Sequence, residues 1–289
     1  MAPRTRTAVH NLFKKMKKLL TLTAMCLVVI SAIAQEKADI EVSYNVRSFY
    51  ANGKEKNQNY HLLANPRYSK FFSPKSEQID SINSTPEGQA NYKKTQLAAM
   101  QAMIDQGAIY VDKLPRKTEN TYVVKSSADS ISKIYDILID EPVYYTEKFS
   151  EMSWELGDST KNILGYECAM ATTDYHGRKW TAWFAPDIPI SDGPWKFRGL
   201  PGLILEVSVP SGIGFYADGV VMTDKSIGKI YSVEKYEKSD RKEILRARRA
   251  MFDNPKGALA AKGITVKVTG STHLSKPDEK FDFIETDYH

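Results

Sequence analysis

Apolar and polar residues alternate along most of this chain, and the alternation predicts a β-rich protein. Ile40, Val42, Tyr44 and Val46 alternate with polar residues, as do the apolar positions from Leu203 to Val209. Similar runs predict strands at 40–46, 60–64, 121–125, 130–138, 143–147, 152–156, 163–173, 179–185, 203–209, 215–223 and 229–235. The connections between most of them are short, which favours antiparallel pairing because parallel strands need a long crossover.

Two segments show helical rather than strand patterns. Ser84 or Thr85 can cap a helix that begins at Pro86 and ends near Gln106, before Gly107. A second, basic helix is predicted at 240–252. We therefore predict a β-rich α+β fold in which a large, strongly curved antiparallel sheet, like half of a barrel, packs against one or two helices. The helix at 86–106 is the expected occupant of the concave face, and a β-sandwich is the alternative architecture.

The alternation stops between the strands at 179–185 and 203–209. This stretch is rich in proline, which restricts the backbone angle φ, and in glycine, which permits positive φ. The residues are Pro186, Pro189, Gly193, Pro194, Gly199, Pro201 and Gly202. Such a segment predicts a connection with a specified path that leads directly into a core strand. Pro201-Gly202 predicts the centre of a type II turn, with Gly202 at the position that requires positive φ.

Two strings in this stretch carry a family resemblance. Gly199-Leu200-Pro201-Gly202-Leu203-Ile204, preceded by Gly193-Pro194-Trp195-Lys196-Phe197, resembles the hallmark of the GLPGLI family of exported Bacteroidetes proteins. The resemblance implies an exported cell-envelope protein. It implies no particular activity, because that family has no settled function.

The first 34 residues have the pattern of a cleaved signal peptide. Four lysines at positions 14, 15, 17 and 18 precede an apolar run from Leu19 to Ile33, which ends in a small-residue cleavage sequence. Met16 is a possible true start, in which case residues 1–15 are a start-site extension. The expected domains are thus a signal peptide at 1–34, one β-rich domain at 35–270, and a polar, loosely attached tail at 271–289. The predicted location is the periplasm, the outer-membrane surface or the extracellular space.

Removing the signal segment changes the charge of the protein. Six of the 40 basic residues and none of the 35 acidic residues lie in 1–34, which leaves 34 basic against 35 acidic residues from residue 35 onward. This balance argues against a nucleic-acid partner, which requires a basic excess. No membrane span is expected in the mature chain. Cys168 is its one cysteine, so it cannot form an intrachain disulfide, and a small buried hydrophobic role is expected for it.

Catalytic motifs are missing from the sequence, and no cofactor is predicted. A weaker hypothesis is a copper site that uses Cys168, Met170 and His176, because thiolate and thioether ligands favour Cu(I). Asp174 and His176 are otherwise expected to be a polar pair on the surface. An exported hydrolase whose carboxylates come from Asp174, Asp187 or Glu206 is the alternative function.

Aromatic residues are the strongest functional signal in the sequence. Both faces of the strand at 179–185 carry a tryptophan, so Trp183 either packs in a core or lines a groove. Trp195 and Phe197 alternate with Lys196 and Arg198 within the Pro/Gly-rich stretch. That arrangement suits contact with an anionic or amphipathic partner, although Trp195 could instead fold back to cover the sheet. The favoured function is non-enzymatic binding of a peptide, a lipid-like ligand or an envelope protein.

Overall fold

A computed structural model describes residues 36–49, 53–106, 115–117, 119–138, 141–254, 257, 260 and 283–289. The predicted signal segment and residues 271–282 of the predicted tail lie outside these residues. No helix in this part of the chain combines the length and the apolar composition needed to span a bilayer.

The described residues form a single twelve-stranded sheet, so the sandwich alternative is wrong. The spatial order is β12-β6-β5-β4-β3-β2-β1-β11-β10-β9-β8-β7. Neighbouring strands pair antiparallel except β12, which pairs parallel with β6. The strands are β1 Ile40–Phe49, β2 Glu55–Ala64, β3 Tyr68–Phe72, β4 Tyr122–Ser126, β5 Ile131–Leu138, β6 Glu141–Lys148, β7 Glu155–Ile163, β8 Tyr166–Tyr175, β9 Arg178–Ala185, β10 Leu203–Ser208, β11 Gly214–Met222 and β12 Glu237–Lys238.

The sheet is strongly curved, as predicted. Nine strand spacings separate β6 from β8 in the strand order, which would place them about 43 Å apart in a flat sheet. Yet the Tyr175 hydroxyl at the end of β8 donates a hydrogen bond of 3.0 Å to Glu147 of β6. The two halves of the sheet therefore curl toward each other. Their facing side chains form one continuous apolar core on the concave side.

Among the residues that the structure describes, three helices with defined bounds accompany the sheet: α1 Pro74–Ile82, α2 Pro86–Asp105 and α3 Arg241–Asp253. The Thr85 side chain caps α2 by accepting a hydrogen bond from the Gly88 amide, as the sequence predicts. However, α2 has no buried residue and exposes Leu97, Met100 and Ile104. Its expected place inside the curved sheet is therefore wrong, because three scattered apolar side chains bury little area.

The concave side is occupied by α3 and by residues 186–202, which we call the interior loop. Ile244 of α3 belongs to the concave core, together with Ile188, Ile190 and Leu200 of the interior loop. On the convex side, α1 contacts β3 and β4 through the pairs Glu77–Lys70 and Asp80–Tyr122. A smaller apolar cluster there includes Ile227 and Ile230, from a segment predicted as a strand. That strand prediction, 229–235, is wrong, since the segment holds a 3₁₀ turn at Val233–Lys235.

The β7–β8 hairpin differs in its bounds from the prediction. It was expected as strands at 152–156 and 163–173, but its strands run from Glu155 to Ile163 and from Tyr166 to Tyr175. Leu164 and Gly165 connect them, both with positive φ, which matches the twist of a two-residue hairpin turn. Leucine is an unusual residue for such a turn, so the sequence carried little signal for it.

The interior loop leads into the central strand β10, as predicted, but through a different turn. The Gly202 amide donates to the Leu200 carbonyl at 2.8 Å, and the Leu203 amide donates to the Ile188 carbonyl at 3.1 Å. This is a three-residue turn around Pro201 rather than a type II turn. Gly202 has a φ of +155°, and a Cβ atom there would overlap the carbonyl oxygen of Ala185. Glycine is needed at this position chiefly for the close approach of the two backbones.

Candidate functional site

The interior loop is fastened to the opposite side of the sheet by a buried lysine. Lys125 of β4 pairs with Asp192, and its ammonium also donates to the carbonyl oxygens of Gly193 at 2.6 Å and Phe197 at 3.3 Å. The Tyr44 hydroxyl donates to the Ile204 carbonyl at 2.6 Å, just beyond the loop. Because a buried ammonium without acceptors is costly, these bonds hold the loop in one path.

Trp195 lies inside the curved sheet. Its ring stacks on Phe215 with a centroid distance of 6.0 Å and contacts Phe197 at 5.3 Å. The backbone of Trp195 has a φ of +51°, which is uncommon for a residue that is not glycine. This conformation directs the Trp195 and Phe197 rings into the aromatic cluster around Trp180.

Lys196 lies at the centre of a buried group of charges, which we call the Lys196 cluster. Its ammonium is 2.9 Å from Glu147, 2.8 Å from Glu285 and 3.4 Å from the His176 Nε2 atom. The rings of Trp195 and Tyr145 flank it, with centroids at 4.7 and 4.9 Å. The cluster is completed by Arg241, which pairs with both Glu285 and Asp287.

These pairings set the protonation states of the cluster. Burial alone would raise the pKa of Glu147, but the Lys196 ammonium and the His176 ring together lower that pKa to about 2. Burial alone would lower the pKa of Lys196, but Glu285 and Glu147 raise it above its ordinary value. Burial likewise opposes ionisation of Asp287, whereas Arg241 and His176 lower its pKa. The cluster is therefore a set of ion pairs at neutral pH rather than a store of exchangeable protons.

We expect the free energy of unfolding to fall as the pH drops from about 4.5 to about 2. The folded-state pKa of Glu147 lies below its ordinary value of 4.5, so the unfolded chain binds the proton first. The contribution of the ionised Glu147 to the free energy of unfolding amounts to roughly 3 kcal/mol. It is fully present above pH 4.5 and is lost as the pH falls through the folded-state pKa. Urea denaturation between pH 6 and pH 2 measures it.

The matched variant is Glu147→Gln, which cannot titrate at this position. In this variant the decrease in the free energy of unfolding between pH 6 and pH 2 should be smaller by about 3 kcal/mol. The part of the decrease that Asp287 contributes should remain. An identical pH profile for the variant and the wild type would contradict the assignment to Glu147.

The Lys196 cluster also contains a possible set of metal ligands. One ligand atom from each of Glu147, His176 and Glu285 lies within 4.8 Å of the other two. The Lys196 ammonium binds these same residues, so their donor atoms are engaged in ion pairing. The predicted copper site does not form, since Cys168 lies eight positions before His176, which directly follows β8. An extended chain of that length spans about 26 Å. Cys168 is fully buried, as expected, and burial raises the pKa of its thiol.

A cavity of about 490 Å³ opens beside the cluster on the concave side. Its floor is apolar and largely aromatic, and Trp195, Tyr145 and Glu285 belong to both the cavity wall and the cluster region. The wall includes β-sheet residues, α3 and residues 283–285. The lining residues are Val46, Ser48, Phe49, Lys56, Tyr60, Phe71, Glu119, Asn120, Thr121, Ile134, Asp136, Ile137, Tyr145, Trp195, Phe215, Leu245, Arg248, Phe283, Ile284 and Glu285.

Polar groups of the cavity wall are paired with one another. Lys56 lies 3.3 Å from Glu119, which also accepts a hydrogen bond of 3.3 Å from the Tyr60 hydroxyl. Asp136 accepts from Arg248 at 2.8 Å and from the Thr121 hydroxyl at 2.9 Å. The Lys56 and Arg248 side chains are about one third exposed, whereas Phe71 and Phe215 are buried. The cavity thus has a dry floor and a charged, wetter side.

The predicted binding residues are separated by the fold. Trp195 lines the cavity, Lys196 occupies the charge cluster, and Phe197 is fully buried in the core. Arg198 is half-buried, with its guanidinium 3.4 Å from the centroid of the Phe149 ring. Trp183 lies elsewhere, under the Lys161 ammonium at 4.5 Å. Their binding role stays a prediction, and of the five Trp195 is the one that lines the cavity.

The carboxylates proposed for hydrolysis do not converge. Asp174 is exposed at the end of β8, Asp187 is exposed in the turn after β9, and Glu206 pairs with Lys161 at 2.8 Å. Within the described part of the chain, Glu147, Glu285 and Asp287 converge instead. His176 is buried among them, so its expected surface pairing with Asp174 is wrong.

Several site residues were missed from the sequence, although some carried a signal. Glu147 follows Val143 and Tyr145 at period 2 on the inward face of β6, and Lys125 follows Val123 in the same way on β4. A charged residue on an otherwise apolar strand face indicates a buried ion pair. Glu285 and Asp287 gave no comparable signal in the sequence. They belong to the segment predicted to be a loosely attached tail, whereas residues 283–289 are docked here.

A family model matches the segment that contains the interior loop. It covers residues 175–206 and is described as a protein of unknown function (Porph_ging). The matched segment includes Gly199–Ile204, the string that resembles the GLPGLI family. Membership of the GLPGLI family stays a prediction. No curated protein matches the chain.

Several solved structures share a limited likeness with the chain. Two crystal forms of PNGF-II match with TM-scores of 0.49 and 0.48 at 14% identity, covering 73% and 72% of this chain. The match spans 32% of the PNGF-II chain, about a third of its length. The LolA superfamily protein NE2245 from Nitrosomonas europaea has a TM-score of 0.21 at 8% identity, covering 68% of this chain and 85% of its own. TM-scores below 0.5 give no support to a shared function.

Proposed function

We propose that this is a non-enzymatic binding protein of the cell envelope that holds a lipid-like, amphipathic molecule in its concave cavity. The observation that carries the proposal is the division of the cavity wall. Aromatic rings form its buried floor, while the partly exposed Lys56 and Arg248 stand at its polar side. An apolar body would replace water over the floor, and a polar end would reach the charged groups.

The pairing of the wall carboxylates favours binding over hydrolysis. Glu119, Asp136 and Glu285 line the cavity, and each already accepts hydrogen bonds from a cationic or hydroxyl partner. A general base needs a pKa near the working pH and access to the substrate. The neighbouring Glu147 has its pKa lowered to about 2, so it is a poor proton acceptor at neutral pH.

Uptake of the apolar fluorophore N-phenyl-1-naphthylamine, followed by displacement with palmitate, tests the proposal. We expect the wild-type protein to bind the fluorophore. The Ile134→Phe substitution should lower the affinity for the fluorophore by at least about tenfold. Ile134 is buried and lines the cavity, so the added ring should fill space that the ligand needs. Because that space is open, stability should change by less than about 1.5 kcal/mol.

The matched control is Ile131→Phe on the same strand. Ile131 lies three positions before Ile134 and does not line the cavity, so fluorophore binding should be unchanged. Failure of the wild-type protein to bind the fluorophore would overturn the proposal. So would equal binding by the folded Ile134→Phe variant.

A further inference from the structure

Residues 283–289, which we call the strap, lie across the turn between β8 and β9. They belong to no strand, yet Glu285 and Tyr288 are buried. The Thr286 amide donates to the His176 carbonyl at 3.0 Å, and the Thr286 hydroxyl donates to the Gly177 carbonyl at 3.1 Å. A Cβ atom on Gly177 would overlap the strap, so the glycine allows this close contact.

Cationic side chains hold the strap from both sides. The Arg178 Nε atom lies 3.0 Å from the Phe283 carbonyl oxygen and 2.9 Å from that of Ile284. Lys196 donates to Glu285 at 2.8 Å, and Arg241 donates two hydrogen bonds of 2.8 and 2.6 Å to Asp287. Since Glu285 and Asp287 are two positions apart, the cations recognise a spacing as well as a charge.

We propose that His176–Arg178, Lys196 and Arg241 form a recognition site for an acidic peptide segment, which the strap occupies within its own chain. Charge-assisted bonds to backbone carbonyls and to two carboxylates are the contacts by which a protein binds a short peptide. An acidic segment of another chain with the same carboxylate spacing can take the place of the strap.

Displacement of the strap would also change the cavity. Phe283, Ile284 and Glu285 form part of the cavity wall, so a partner that replaces the strap would open that side. Peptide recognition itself requires no cavity ligand. Its test is therefore independent of the proposed lipid-like ligand.

The experiment uses the full chain with Glu285→Gln and Asp287→Asn together, which weakens the strap and leaves the recognition site unchanged. A fluorescein-labelled peptide of residues 283–289 is titrated and its anisotropy measured. We expect the variant to bind the peptide at least about tenfold more tightly than the wild type does. In the wild type the tethered strap competes with the peptide for the site at an effective concentration on the order of millimolar, and in the variant this competition is weakened. The matched control is the same peptide with Gln and Asn at the two acidic positions.

A folded double variant that does not prefer the acidic peptide over the control peptide would overturn the proposal. If that variant does not fold, the wild-type chain supplies a second measurement. Unlabelled peptide at several millimolar should then speed hydrogen exchange at the amides of residues 284–288 at least about twofold. Unchanged exchange in the presence of the acidic peptide would overturn the proposal equally.

Discussion

Lys196→Met is expected to lower the free energy of unfolding by about 3–5 kcal/mol. Methionine fills similar space but removes the ammonium that lies 2.9 Å from Glu147 and 2.8 Å from Glu285. Two buried carboxylates would then face each other with less positive charge between them. Their repulsion and desolvation are the source of the loss. Guanidinium denaturation at pH 7 measures it.

The matched control is Lys161→Met, which removes a lysine from a more exposed ion pair. Lys161 lies 2.8 Å from Glu206, with about a third of its side chain exposed. The expected loss there is at most about 1 kcal/mol, because water screens the pair. Equal losses in the two variants would contradict the role assigned to burial. Adding Glu147→Gln and Glu285→Gln to Lys196→Met should recover part of the stability, since the unpaired charges are then gone.

Trp195→Ala is expected to cost about 3–5 kcal/mol, as truncation of a buried aromatic residue does. The ring is only 6% exposed and packs on Phe215 and Phe197. Its removal would join the vacated space to the cavity and weaken the aromatic cluster. Thermal and guanidinium denaturation of the variant measure the loss.

Trp183→Ala is the matched control for this truncation. Trp183 is half-buried in β9 and does not line the cavity, so a loss of about 1 kcal/mol is expected. If Trp195→Ala kept the stability of the wild type, the ring would contribute little to the core. The surface-contact interpretation of the interior loop would then be favoured again.

The Lys196 cluster and the cavity share one wall, and this shared wall links stability to binding. Glu285 lines the cavity and pairs with Lys196 and Arg241, while Trp195 lines the cavity and flanks the Lys196 ammonium. Fully paired buried charges have few alternative arrangements. The cluster can therefore hold the cavity wall in a defined shape before a ligand binds.

Local pattern was a reliable guide to the strands and caps. Period-2 alternation identified β1 and β10, and Thr85 caps α2 as its sequence context indicates. The same rules fail at β3, because the alternation predicts no strand at Tyr68–Phe72. Phe71 and Phe72 are both buried, one on each face of the sheet, so the strand shows no alternation.

The sequence by itself determined a β-rich chain with a proline-stiffened segment leading into a central strand. Those features depend on backbone restriction and on side-chain period, which act over a few residues. Tertiary structure decided that this segment fills the concave side and that Lys196 meets Glu147 and Glu285. These partners lie 49 and 89 positions away along the chain. No local periodicity can specify which of many charged residues will meet once a sheet curls, because that choice depends on how the entire sheet closes around its core.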